Sequence, residues 1–299
     1  MSDVVLVTGA GGFAGSHLVE HLSPSHPVVA WTRQTVDLLD RDRVRAAIRE
    51  LRPAQIYHCA GVPHVAESWR DTAQPLEGNV LATEHLFDAL RREGIRCRVL
   101  VPGSATVYAP SSEPISETDP IAPASPYAIS KLAQEQLALR AIQEDGLDVV
   151  LTRSFNHTGP RQTPAFVAPS MARQIALIER GQVEPVIKVG NLDAQRDVTD
   201  VRDVARAYAA LMQSGKTGVV YNVASGVARS IRSILEALVS RSKMPVRIEV
   251  DQTRMRPNDV PVVVGNHSRL TESTGWHPQI SFDQMLDDLL EYWRNHATA

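Results

Sequence analysis

Short apolar runs alternate with longer amphipathic stretches along the first half of this chain. Val4-Val5-Leu6-Val7 is an unbroken run of branched residues, the pattern of a strand covered on both faces. Val28–Trp31, Ile56–Cys59, Val99–Val101 and Val149–Leu151 repeat it. Between these runs, helices are expected over 16–22, over 41–51, over 79–92 with Leu81, Leu86, Phe87 and Leu90 on an apolar face, and over about 127–144. Strand and helix in strict alternation predict an α/β fold with a doubly wound parallel sheet. Further on, the pattern predicts helices over 169–181, 200–212 and 281–295, and a sixth sheet strand at Val219–Val223.

Composition narrows the function classes. The chain has 299 residues, 43% hydrophobic and 22% charged, with a net charge of −3. That is a soluble globular balance, with nothing that points to nucleic acid or to an acidic membrane surface. No apolar stretch approaches the length of a membrane span, and the first strand begins at once without a signal peptide, so a cytoplasmic protein is expected. The two cysteines, Cys59 and Cys97, support neither a disulfide framework nor a metal site.

The chemistry begins right after the first strand. Gly9, Gly12 and Gly15 form G-x-x-G-x-x-G between strand and helix, with Phe13 inside the loop. In a Rossmann-type fold such glycines make the turn, admit the pyrophosphate to the backbone and let helix and strand pack closely, while the helix N-terminus faces the phosphates. The second strand ends in Thr32-Arg33, and no acidic residue follows until Asp37-Leu38. An acid at this point would bind the ribose 2′-hydroxyl of NAD, whereas an arginine can hold the 2′-phosphate of NADP. Arg33 therefore points to NADP(H), with a solvated surface arginine and NAD(H) as the alternative. The third strand ends in Ala60-Gly61, small enough for a cofactor to lie across it, and His58 within that strand reads as a packed core residue.

Ser104-Ala105-Thr106-Val107-Tyr108 follows the fourth strand, at a carboxyl end where open α/β sheets bind ligands. Residues 109–126, rich in Pro, Ser and Glu, read as a loop over the site. Tyr127 and Lys131 then stand four residues apart, on one face of a helix. A free tyrosine titrates near about 10. A neighbouring ammonium favours the phenolate and would make Tyr127 a usable acid or base at neutral pH.

Taken together, the glycine loop, Asp37-Leu38, the Ser104–Tyr108 string and Tyr127-x-x-x-Lys131 resemble the extended short-chain dehydrogenase/reductase family acting on nucleotide sugars. The resemblance is co-linear over nearly the whole chain, with Ala109 where the family usually has glycine. It implies that Ser104 binds the reacting sugar oxygen, that Tyr127 is the acid/base, and that Lys131 holds the nicotinamide ribose and lowers the tyrosine pKa. It also implies two domains, a dinucleotide-binding one over 1–155 plus about 197–226 and a smaller α/β substrate domain over about 156–196 and 227–299. In the second, Asn156, Val189, Asn191 and Arg196 resemble the substrate-binding segments of GDP-sugar members, and Arg256 and Asp259 a late motif that meets phosphate and ribose. A homodimer built on the helices at about 79–92 and 127–144 is implied as well.

Dehydratases of this family carry acidic residues just after the catalytic hydroxyl. Here those positions are Ala105 and Thr106, which have no group that titrates near neutral pH. The expectation is therefore NADPH-dependent reduction of a GDP-4-keto-6-deoxyhexose to GDP-6-deoxy-D-mannose (GDP-D-rhamnose). A 4-epimerase with tightly bound NAD is the alternative, since Ser-Ala-Thr-Val-Tyr itself looks epimerase-like. A GDP-mannose 4,6-dehydratase and a non-catalytic dinucleotide sensor rank behind it.

Overall fold

The computed structural model describes residues 3–254 and 260–298, the side chain of Arg254 excepted. The first half runs β1 (Val5–Thr8), α1 (Phe13–Leu22), β2 (Val28–Trp31), α2 (Arg41–Leu51), β3 (Gln55–His58), a single turn α3 (Val65–Ser68), α4 (Ala82–Arg92), β4 (Arg98–Ser104), α5 (Pro126–Asp145) and β5 (Asp148–Ser154). The second half follows with β6 (Asn156–Thr158), α6 (Val167–Glu179), β7 (Val186–Val189), β8 (Gln195–Asp200), α7 (Val201–Ser214), β9 (Val220–Val223), β10 (Ala228–Ser230), α8 (Ile231–Val239), β11 (Arg247–Val250), β12 (Val262–Val263), α9 (Ser268–Thr274) and α10 (Phe282–His296).

Six strands pair in parallel in the order β2-β1-β3-β4-β5-β9. The apolar runs lie inside this sheet because both faces are covered. Val44 and Ile48 of α2 and Leu86, Phe87 and Leu90 of α4 pack on one face, and Leu18 of α1 with Val204, Tyr208 and Leu211 of α7 on the other. The chain leaves β1 for β2 and then returns to place β3 on the other side of β1. The crevice at the carboxyl ends of β1 and β3 is thus the topological switch point, where such sheets bind ligands.

A smaller group of strands follows. β8 pairs with β6, β10 and β12, and β7 pairs with β11. A separate core of α6, α8 and α10 surrounds β7, with Ile175, Leu235, Leu286 and Leu290 fully buried.

One expected element differs. The helix from Asn79 begins as a wide turn over Leu76–Leu81, with its hydrogen bonds one residue longer than in an α-helix, and only then continues as α4. The extra residue per turn shifts the faces. Asn79 points inward, while Leu81, expected on the buried face, is 44% exposed.

Candidate active site

The glycine loop sits at the switch point. Gly9 has φ +65°, and a Cβ there would lie 2.6 Å from the backbone nitrogen of Ala60. A Cβ on Gly15 would stand 2.2 Å from the Gly9 carbonyl oxygen. The first position thus holds the turn against β3, and the second lets α1 enter beneath it. Gly12 is the N-cap of α1 and offers no side chain to its first-turn N–H groups, and no acidic residue occupies that turn. Those N–H groups and the positive helix end suit a phosphate. Phe13 lies edge-on to His17 and stacks over His157 of β6, with ring centroids 5.7 Å apart in both cases. The phosphate loop therefore rests against the first strand of the smaller lobe.

On the rim, the Arg33 side chain is 81% exposed and stands 3.6 Å from the Asp37 carboxylate. Thr32, just before it, lies within van der Waals reach of where a Gly11 Cβ would be, so this turn borders the loop. Asp37 also accepts from the Leu39 N–H at 3.0 Å, and Leu38 is buried in the core. Ala60 donates its N–H to the Thr8 hydroxyl at 3.2 Å.

Ser104 and Tyr127 come together. Ser104 closes β4, buried, with its hydroxyl 3.0 Å from that of Thr106. Tyr127 opens α5 behind a full N-terminal cap, with Pro126 in the first turn and the Ser125 hydroxyl accepting from the Ala128 N–H at 3.1 Å. From α3, the Ser68 hydroxyl accepts the Tyr127 N–H at 3.3 Å. Burial pushes the Tyr127 phenol above its usual value, and a hydrogen bond with Ser104 pulls it part of the way back. Lys131 follows one turn further along α5. Its ammonium donates to the Gln134 side-chain carbonyl, and burial lowers its pKa to about 8.

His58 is the core residue expected. It is buried between the Thr8 and Thr83 hydroxyls, each 2.9 Å away, and burial lowers its pKa to about 3. Sequence reasoning passed over Ser68, Asn79, Thr83 and Gln134. Each reads in the sequence as one polar residue among others on a helical stretch, and its partner is supplied only by the fold.

In the smaller lobe, Asn156 is exposed on β6 beside the phosphate loop. The Asn191 side chain accepts from the Asp193 N–H at 3.0 Å. The Arg196 guanidinium donates to the carbonyls of Gln195 and Val260, both at 2.8 Å. Val189 lies deeper. Its side chain is buried in the α6–α8–α10 core and its carbonyl accepts from the Asp251 N–H, so its side chain has no route to a nucleotide base. Arg256 and Asp259 lie outside the described residues.

A doubly wound sheet with a glycine turn at its switch point and a Ser-Tyr-Lys group beside it defines a dinucleotide-dependent oxidoreductase. The family model for GDP-mannose 4,6 dehydratase matches residues 30–289, and the chain belongs to that family, within the extended short-chain dehydrogenases/reductases. It is 38% identical to GDP-6-deoxy-D-mannose reductase from Pseudomonas aeruginosa, with 99% of each chain covered. GDP-mannose 4,6-dehydratase from Vibrio cholerae is 24% identical, over 98% of this chain and 95% of that one. Among solved structures, RMD from Pseudomonas aeruginosa complexed with NADPH superposes with a TM-score of 0.91 at 38% identity, covering 98% of this chain and 99% of that one. UDP-glucose 4-epimerase from Thermus thermophilus in complex with NAD gives 0.86 at 29% identity, covering 97% and 99%. Among the described residues no helix is long and apolar enough to cross a membrane.

Proposed function

We propose that this chain uses NADPH to reduce the 4-keto group of a GDP-4-keto-6-deoxyhexose, giving GDP-6-deoxy-D-mannose (GDP-D-rhamnose). The observation that carries the reading is the surroundings of Ser104. Where elimination chemistry needs a carboxylate, Ala105 is buried and Thr106 turns its hydroxyl to Ser104. The protonation of Tyr127 supports the same direction. A reductase needs an acid at the outset, and a phenol raised by burial holds its proton at neutral pH.

The residues present suit the dinucleotide. The glycine turn and the uncapped N-terminus of α1 receive its pyrophosphate, Arg33 its 2′-phosphate, and Lys131 its nicotinamide ribose, with Asp37, Leu38 and Ala60 bordering the adenosine end and the strand ends. When bound, NADPH supplies a hydride to the carbonyl carbon. Ser104 then hydrogen-bonds the carbonyl oxygen, and Tyr127 donates its phenolic proton there as negative charge develops, completing the alcohol. Asn156, Asn191, Arg196, Arg256 and Asp259 are the candidates for the GDP moiety, with Val189 contributing only to the shape of the lobe. We assign residues 1–155 plus about 197–226 to the cofactor and about 156–196 and 227–299 to the substrate. We also place the protein in the cytoplasm as a homodimer.

The test is to give the purified protein NADPH with GDP-4-keto-6-deoxymannose, and separately GDP-mannose with oxidised NADP, and to resolve the products by NMR. The reading expects loss of NADPH absorbance with formation of the 4-hydroxy sugar in the first case and intact GDP-mannose in the second. Conversion of GDP-mannose to the 4-keto sugar would overturn it. Interconversion of 4-epimers without net use of NADPH would establish the epimerase instead.

A further inference from the structure

Behind the Ser-Tyr-Lys group, a line of buried polar side chains crosses from α5 to β1. The Asn79 carbonyl accepts the Thr83 hydroxyl hydrogen at 2.6 Å. A threonine hydroxyl has only one hydrogen, so toward its other neighbours Thr83 can only accept. It accepts from the Gln134 amide nitrogen at 2.8 Å and from His58 Nε2–H at 2.9 Å. The His58 tautomer follows, with Nδ1 accepting from the Thr8 hydroxyl, which in turn accepts the Ala60 N–H. The Gln134 amide is fixed as well. With its nitrogen committed to Thr83, its carbonyl oxygen must face the Lys131 ammonium, and the two are hydrogen-bonded. Thr8, His58, Thr83, Lys131 and Gln134 are all buried, so water does not substitute for any of these partners.

We propose that Gln134 is a positioning residue for the reductase. Its side-chain carbonyl, locked through Thr83 to the His58–Thr8 pair beneath the glycine loop, holds the Lys131 ammonium on the helix face shared with Tyr127. The inference rests on the reductase reading for its role in catalysis. The mechanical part stands on the hydrogen-bond directions alone.

A buried ammonium depends on its acceptors, because hydrogen bonds to the charged form stabilise it against burial. Without the carbonyl of Gln134, Lys131 would shed its proton at lower pH; with a carboxylate there, it would keep the proton to higher pH. The other titratable groups nearby leave this relation simple. His58 is held neutral by burial, and burial pushes the Cys59 thiol up to about 12 and the Tyr127 phenol above its usual value. Tyr208 of α7, also raised by burial, faces Cys59 and Tyr127. One turn beyond Lys131, Glu135 is already neutralised by Arg153 at 2.7 Å.

The chain has four lysines, Lys131, Lys188, Lys216 and Lys243. The last three are exposed and Lys131 is buried. In protein labelled with carbon-13 at lysine Cε, the Lys131 resonance is identified by its loss in Lys131→Arg, and its titration is followed by NMR. Compared with the parent, the midpoint should fall by about one pH unit in Gln134→Leu and rise by a similar amount in Gln134→Glu, the scale of one hydrogen bond to a charge. The upper pH limit of kcat should move in the same two directions. Thr83→Val, which frees the Gln134 amide without touching Lys131, should lower the midpoint even if Gln134→Leu fails to fold, and Thr83→Ser should restore it. An unchanged Lys131 midpoint in the Gln134 and Thr83→Val variants would overturn the proposal. If the midpoints move as expected but the parent does not reduce the 4-keto sugar, the reductase reading fails and the positioning of Lys131 stands.

Discussion

At the scale of single residues, the chemistry depends on one proton and one charge. The Tyr127 phenol is hydrogen-bonded to Ser104, so Tyr127→Phe removes the proton donor while leaving the ring and the helix start in place. Positioned acid catalysis contributes about 10²- to 10⁴-fold. Steady-state turnover of the 4-keto sugar should drop by that much, with NADPH affinity by fluorescence titration nearly unchanged. Retained turnover would make Tyr127 structural. The proposal assigns the choice of cofactor to Arg33. Its guanidinium is exposed and only loosely paired with Asp37, so it is available to a 2′-phosphate. The parent should bind NADPH more tightly than NADH by roughly tenfold, equal to about 1.4 kcal/mol and near the low end for a charge-assisted hydrogen bond because solvent screens the site. Arg33→Asp should invert the order. Equal affinities in the parent would remove this role.

At the scale of elements, Tyr127 and Lys131 are both carried on α5. Its N-terminus is fixed by Ser125 and Ser68. One turn past Lys131 it is fixed again, where the Glu135 carboxylate takes two bonds from Arg153 of β5, at 2.7 and 2.9 Å. Both side chains are 5% exposed. Arg153 also lies 4.7 Å over the Tyr108 ring and donates to the Glu117 carbonyl, which ties the loop before α5 into the same cluster. Removing one partner strands the other as a buried charge, so Glu135→Leu should lose about 3–5 kcal/mol in urea unfolding. Glu135→Leu combined with Arg153→Met should recover much of that loss, and additive losses would show that the two charges do not act as a pair. Alternation of strand and helix was legible because parallel strands announce themselves as apolar runs, and Gly9, Gly12 and Gly15 stood out because glycine is the residue such a turn demands. The wide turn over Leu76–Leu81 was not, since one extra residue leaves the apolar pattern almost unbroken while moving Leu81 to the surface. Nor was the depth of Val189, because a four-residue strand does not reveal which layer covers it. Gln134 and Thr83 gain their meaning only when α5 and α4 are laid side by side.

At the scale of the whole molecule, that displaced leucine becomes informative. Leu76 and Leu81 on the wide turn and Ile129 on α5 are 46%, 44% and 50% exposed. Between the two elements runs an apolar groove lined by Leu76, Val80, Leu81, Ala133 and Leu137, with Glu77 and Glu84 also at its walls. It lies on the side of α5 opposite Lys131 and Gln134, so covering it would leave the cofactor crevice open. Two copies related by a two-fold axis would place four helical segments against one another and bury the same patch on each, the usual closed arrangement for a homodimer. Each Å² of apolar surface removed from water contributes about 25 cal/mol, and a carboxylate introduced there would have to be desolvated without a partner. Leu76→Glu with Leu81→Glu should therefore convert a dimeric parent to monomer in sedimentation velocity, with the far-UV circular dichroism spectrum unchanged because both side chains already face solvent within the single chain. Turnover should fall far less than in Tyr127→Phe, since neither leucine reaches Ser104, Tyr127 or Lys131. A parent that sediments as a monomer at micromolar concentration, or a double variant that remains dimeric, would show that this face does not join two copies.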